Sequence, residues 1–148
     1  MKTRIAFDLD ETLGTPIVDS ESVIGFRLRD GAVELLNKLA RKYELVVWTV
    51  GKRSYVDKVM SFGLAPYFAE IYSWEELSYT WKDVRKINAD FLIDDNPDHC
   101  AAAKRHGLEA RYIVVAADGS EEDYDDPLLW VRQVEAVLLG DQAKASGR

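Results

Sequence analysis

Short apolar runs recur along the chain, each ending in a polar or acidic residue. Ile5-Ala6-Phe7 runs into Asp8, Leu45-Val46-Val47-Trp48 into Thr49, and Phe91-Leu92-Ile93 into Asp94 and Asp95. Glu70-Ile71-Tyr72-Ser73-Trp74 is a weaker run, and Arg111-Tyr112-Ile113-Val114-Val115 closes the series. Runs without polar alternation are the signature of strands covered on both faces. Between them the period changes. Ala32, Val33, Leu35, Leu36, Leu39 and Ala40 recur at helical spacing, with Asp30 placed to cap that helix. Tyr55, Val56, Val59, Met60 and Phe62 predict a second helix stopped at Gly63 and Pro66. Pro97 suits the first position of a helix to about Arg105 with Gly107 as its stop, and Pro127 opens a last amphipathic helix through Leu138 or Leu139. After the breaker cluster Gly14-Thr15-Pro16, Ile17-Val18 and Val23-Ile24-Gly25-Phe26 flank a polar turn and predict a short hairpin. Residues 75–89 are less regular, with one helical turn at Glu75-Glu76-Leu77 and another from Lys82 to Asn88.

Strands alternating with helices imply the α/β class. The reading is a single Rossmann-like parallel β-sheet of five strands in the order 5-4-1-2-3, with helices on both faces and a flap at 14–28. Residues 1–140 form one domain and 141–148 a polar tail. In such sheets ligands bind outside the C-terminal strand ends, where the strand order reverses. That rule gathers Asp8, Asp10, Thr49, Asp94 and Asp95 at one crevice, with Lys82 on the approach to the fourth strand.

Composition narrows the choice of function. The chain has 148 residues with a net charge of -7, which disfavours a broad nucleic-acid surface. Cys100 is the only cysteine, so no intramolecular disulfide can form; a reducing compartment fits, and the cytoplasm is the expected location. No signal-peptide pattern precedes the first strand, and no apolar run reaches the length of a membrane span.

Two aspartates ending a buried strand are costly unless a cation or a shared proton compensates them. Asp8 can act as a nucleophile, and Asp10 can donate and accept a proton. Asp-Glu-Thr is equally suited to a polar turn or a helix cap. The recurrence of acids at the fourth strand decides between the two. Four carboxylates, one hydroxyl and one ammonium in a small volume call for a hard divalent ion with oxygen ligands.

These residues resemble the haloacid dehalogenase (HAD) superfamily of phosphohydrolases. Asp8-Leu9-Asp10-Glu11-Thr12 matches its first motif, Val46-Val47-Trp48-Thr49 the second, Lys82 the third and Leu92-Ile93-Asp94-Asp95 the fourth. The resemblance implies a phosphatase using Mg2+ and an aspartyl-phosphate on Asp8, with Asp10 as general acid and base. It implies that Thr12, Thr49 and Lys82 bind the phosphoryl group. The metal would be held by Asp8, the Asp10 carbonyl and a fourth-motif acid, Asp95 directly with Asp94 behind it or the reverse. Members acting on carbon–halogen bonds lack the second aspartate of motif one, so Asp10 favours phosphoester hydrolysis. Asp-Leu-Asp-Glu-Thr-Leu, Trp48-Thr49 and Lys82-Asp83 look most like the small C-terminal-domain phosphatases, whose fourth motif reads Asp-Asn where this chain has Asp94-Asp95-Asn96. The gaps around the motifs leave no room for a cap domain beyond the flap. The open site then admits a small molecule, a nucleotide or a phosphopeptide, or a homo-oligomer that covers it.

Other residues carry weaker signals. Trp48 and Trp74 are expected in the core, while Trp81 suits either core or substrate stacking. Lys52 and Arg53 can meet an anion or simply flank a solvated turn. His99 and His106 are expected on a helix beyond the site, in a surface or satisfied role. Asp98 can tune the metal or cap its helix, and Asp118 to Asp126 is expected to be a solvated loop. The alternative function is a receiver-like or catalytically silent phosphate-binding signalling module. A receiver needs its acceptor aspartate on strand three, which here ends Ser73-Trp74, and its lysine on strand five.

Overall fold

The computed structural model describes residues 2–140; the expected tail at 141–148 lies outside them. The elements are β1 (Arg4–Phe7), β2 (Gly14–Asp19), β3 (Ser22–Leu28), α1 (Ala32–Ala40), β4 (Glu44–Trp48), α2 (Arg53–Val59), β5 (Glu70–Tyr72), β6 (Phe91–Asp94), α3 (Pro97–Lys104), β7 (Tyr112–Val114), α4 (Glu121–Asp125) and α5 (Leu129–Leu138). A 5-stranded sheet runs β5-β4-β1-β6-β7, with every neighbouring pair parallel. This is the expected order, with β1 central; β2 and β3 are the expected hairpin, paired only with each other.

Alternation along each strand divides the core. Ile5, Phe7, Leu45, Val47, Ile93 and Ile113 face a cluster built with Leu35, Leu36 and Leu39 of α1, Val56 and Val59 of α2, and Trp130 and Val134 of α5. Ala6, Val46, Trp48, Leu92 and Tyr112 face a smaller cluster with Val84, Ile87 and Ala103. Both faces are therefore covered, which is why these runs carry no polar residues. The second layer is thinner because 3-10 turns at Trp74–Glu76 and Val84–Ile87 stand where a full helix would pack. Among the described residues no helix is long and apolar enough to cross a membrane.

Three expectations change. Gly31, not Asp30, sits at the α1 N-cap, with φ 83°. A Cβ there would lie 2.8 Å from Val131 and 2.9 Å from Leu128, so packing of α5 requires glycine in this left-handed position. Asp30 instead accepts the Trp130 indole N–H on its carbonyl at 2.9 Å. Trp74 is 55% exposed rather than core, because β5 stops at Tyr72 and Ser73 turns the chain outward as a capping box with Glu76.

The acidic stretch after Asp118 is not merely solvated. It contains α4, and Asp123 takes an ion pair from the buried Arg29 at 2.7 Å. Arg29 also donates to the carbonyls of Thr12 at 3.2 Å and Ala116 at 2.8 Å, and its guanidinium lies 4.6 Å over the Trp130 ring. One side chain thus ties the loop after β1 to the segment after β7. Removing one partner of a buried pair leaves the other charge uncompensated. Arg29→Met is expected to cost about 3–5 kcal/mol in urea unfolding; a loss below about 1 kcal/mol would show that the guanidinium does not brace these loops.

Candidate active site

The last ladder bonds of the sheet set the site. The Asp8 N–H reaches Ile93 O at 2.9 Å, Thr49 N–H reaches Tyr72 O at 3.1 Å, and Val115 N–H reaches Asp94 O at 3.1 Å. Asp8, Thr49 and Asp94 therefore sit on backbone that is still part of the sheet. Leu9 and Leu13 are fully buried in the larger core cluster and pin the intervening loop from below. Leu9 points into the core between Asp8 and Asp10, so the spacing of the two acids leaves both carboxylates outside it.

Lys82 is fully buried, and its ammonium bridges Asp8 Oδ1 at 2.7 Å and Asp94 Oδ2 at 2.8 Å. It lies outside any regular element, so side chains hold its backbone. Its N–H donates to His99 Nδ1 at 3.0 Å, and its carbonyl accepts from the Tyr112 hydroxyl at 2.7 Å. Asp94 is fully engaged, since its Oδ1 also accepts the Asn96 N–H at 2.9 Å. Thr12 Oγ1 lies 2.9 Å from Asp8 Oδ2 and 2.9 Å from Asp95 Oδ1, and accepts the Asp95 N–H at 3.0 Å. Thr12, expected at the phosphoryl group, is thus a buried strut between two carboxylates. Thr49 Oγ1 accepts the Gly51 N–H at 3.1 Å and keeps its own proton available. Asp10 stands beside this cluster and accepts a hydrogen bond from the Tyr55 hydroxyl on Oδ1.

Electrostatics separates the acids. Burial alone would raise Asp8, but the Lys82 ammonium outweighs it and holds the carboxyl below its usual range. Burial raises Asp10, partly opposed by the Tyr55 hydrogen bond. Burial pushes Asp94 up to about 6 against the pull of Lys82, and pushes Asp95 up to about 7 with help from the neighbouring Asp8. Oxygen atoms of Asp8, Asp94 and Asp95 lie within 4.8 Å of one another, a donor set suited to a hard divalent cation. The single ammonium among them does not balance three carboxylates, so these residues fit such an ion.

The remaining candidates fall to other tasks. Arg53 donates to Ile71 O at 2.6 Å and Glu76 Oε1 at 3.2 Å, bracing β5. Trp48 is core, with its indole N–H on Ser73 O at 3.1 Å. Trp81 stacks on His106, ring centroids 5.5 Å apart. Asn96, not Asp98, caps α3. His99 is not beyond the site but under it: burial and the Lys82 charge lower it to about 4, so the neutral ring accepts from Lys82. Tyr55, His99 and Tyr112 are the partners that the chain's pattern does not single out. Tyr55 was distinguishable only by its position one turn into the helix that follows Thr49.

Comparison with known proteins identifies the family and the fold. A profile of NLI interacting factor-like phosphatases matches residues 4–132. No curated protein sequence matches. Among solved structures the chain is similar to Fcp1, an essential RNA polymerase II CTD phosphatase, with TM-score 0.62 and 19% identity over 97% of this chain and 53% of that one. A fission yeast Fcp1 variant bound to beryllium fluoride gives TM-score 0.60 and 17% identity over 93% and 51% of the two chains. A putative beta-phosphoglucomutase from Thermotoga maritima gives TM-score 0.58 and 10% identity over 95% and 99%. These likenesses establish the fold, and the chain spans about half the length of the two Fcp1 chains. With the profile spanning the whole sheet, the chain belongs to the NLI interacting factor-like phosphatases.

Proposed function

We propose that this protein is a Mg2+-dependent phosphomonoesterase working through an aspartyl-phosphate on Asp8. The observation that carries the reading is the pairing of an ionised Asp8, clamped by Lys82 at 2.7 Å, with an Asp10 whose carboxyl is raised by burial. Two carboxyls pushed apart in this way take the nucleophile and acid roles respectively. Asp8 attacks phosphorus as the ester P–O bond breaks, and Asp10 passes its proton to the departing oxygen. Asp10, now a carboxylate, takes a proton from water, whose oxygen attacks the same phosphorus. The P–O bond to Asp8 breaks, and phosphate and the free carboxylate return. Thr49 donates its available proton to a phosphoryl oxygen, and Lys82 offsets negative charge on Asp8 and the phosphoryl group. Positioning and charge stabilisation supply most of the rate in such transfers.

Asp8, the Asp10 carbonyl and Asp95 would hold Mg2+, which when bound supplies charge neutralisation at the phosphoryl oxygens. Of these two acids Asp95 is favoured, because it is only half-buried, whereas Asp94 is buried and ion-paired to Lys82. The receiver alternative is disfavoured by Lys82 preceding β6 and by the absence of an aspartate at the end of β5. The substrate proposed is a phosphomonoester on a small molecule, nucleotide or phosphopeptide.

Asp8→Asn is expected to lower aryl phosphate hydrolysis by on the order of 10⁴-fold or more; phosphate release at the wild-type rate would refute the intermediate. Mg2+ at about 100 times its Kd should stabilise the fold by about 2.7 kcal/mol, read as a rise in melting temperature that EDTA reverses. Asp95→Asn should abolish most of that rise. A wild-type melting curve indifferent to Mg2+ would rule out the ion.

A further inference from the structure

Asp10 must present one oxygen, carrying a proton, to the leaving group. Its backbone is already fixed. The Leu13 N–H bonds Leu9 O at 3.0 Å, the Glu11 N–H bonds Gly14 O at 2.7 Å, and Glu11 O accepts the Asp118 N–H at 2.7 Å. What this network leaves free is the torsion of the Asp10 side chain. Among the described residues one side chain hydrogen-bonds it: the Tyr55 hydroxyl, donating to Oδ1. The Tyr55 ring has little freedom of its own. It packs against the larger core cluster, and a Cβ added to Gly51 would lie 3.3 Å from Tyr55 Cδ2 and 3.4 Å from Thr49 Oγ1. Gly51 is thus a closely filled gap between the phenol and the hydroxyl offered to the phosphoryl group.

We infer that Tyr55 is a positioning residue for the proton donor: its phenol occupies Oδ1 of Asp10, so that Oδ2 is the oxygen that carries the proton and meets the ester oxygen. This rests on the phosphatase reading above. As the ester P–O bond breaks, the proton on Oδ2 passes to the departing oxygen and the electron pair remains on Asp10. Without the phenol the carboxyl rotates among orientations, and few of them deliver the proton.

The role has a signature that a merely structural residue lacks. Leaving groups that depart easily as anions need little protonation, and poor ones need it most. Tyr55→Phe keeps the ring and removes only the donor. With Mg2+ present, kcat/KM for phenyl phosphate is expected to fall about 100-fold, against about 3-fold or less for 4-nitrophenyl phosphate. Equal losses for the two esters, in a variant whose thermal melt is intact, would overturn the role of Tyr55. A wild type that hydrolyses neither ester would remove the phosphatase reading itself. Should Tyr55→Phe fail to fold, Tyr55→Met, which also removes the donor, is read by the same ratio: the selective loss for phenyl phosphate supports the inference and an equal loss refutes it.

Discussion

The site depends on one buried ammonium. Lys82 has no exposed surface, and among the described residues its charge partners are Asp8 and Asp94, at 2.7 and 2.8 Å. Burying any of the three alone would cost several kcal/mol per ion. Together they are tolerated because each carboxylate has further donors. Asp8 has Thr12 and Asp94 has the Asn96 N–H. The arrangement is a poor device for stability, since apolar residues of the same volume would often do as well. Its value lies in what it fixes: an ionised Asp8 carboxylate held in one direction at the end of the central strand, as the proposed nucleophile would need.

That rigidity comes from the sheet, and the parts outside it are fastened by side chains. Asp8, Thr49 and Asp94 ride on the final hydrogen bonds of the parallel ladder. Lys82 has no such support, so neutral His99 and Tyr112 hold its amide and carbonyl in place. Arg29 performs the same service for the loop carrying Asp10 and Thr12, through the Thr12 carbonyl. The acids and Lys82 are thus braced by buried polar residues, His99, Tyr112 and Arg29, each bonding backbone of the loops that carry them.

What was readable in the chain follows from this division. Strands buried on both faces advertise themselves as apolar runs, and the polar residue that ends each run marks the crevice. Asp8, Asp10, Thr49 and Asp94-Asp95 were legible for that reason. Lys82 was found by its order in the motif series, because residues 75–89 have no period. The bracing residues were not legible. Tyr55 satisfies a helical apolar pattern as well as any core tyrosine, and only the fold reveals that its hydroxyl meets Asp10. Arg29 reads as an ordinary charged residue before a helix until Asp123 and Ala116 arrive from 87 and more residues away. The α1 cap was misplaced because α5, distant in the chain, dictates glycine at position 31.

Charge balance carries the argument a step beyond geometry. Asp8, Asp94 and Asp95 bring three negative charges when ionised, and Lys82 returns one. Burial, helped by the neighbouring acids, raises Asp94 to about 6 and Asp95 to about 7, so both hold a proton more readily than free carboxyls do. A phosphoryl group would add further negative charge to a pocket where burial already disfavours ionised acids. Lys82 already balances Asp8 and Asp94, so it offsets only part of that added charge. A divalent cation held there would ease both difficulties, by offsetting the charge of the acids and of the phosphoryl oxygens. Under the proposed function such an ion would serve substrate entry as well as chemistry, with the half-buried Asp95 well placed to hold it.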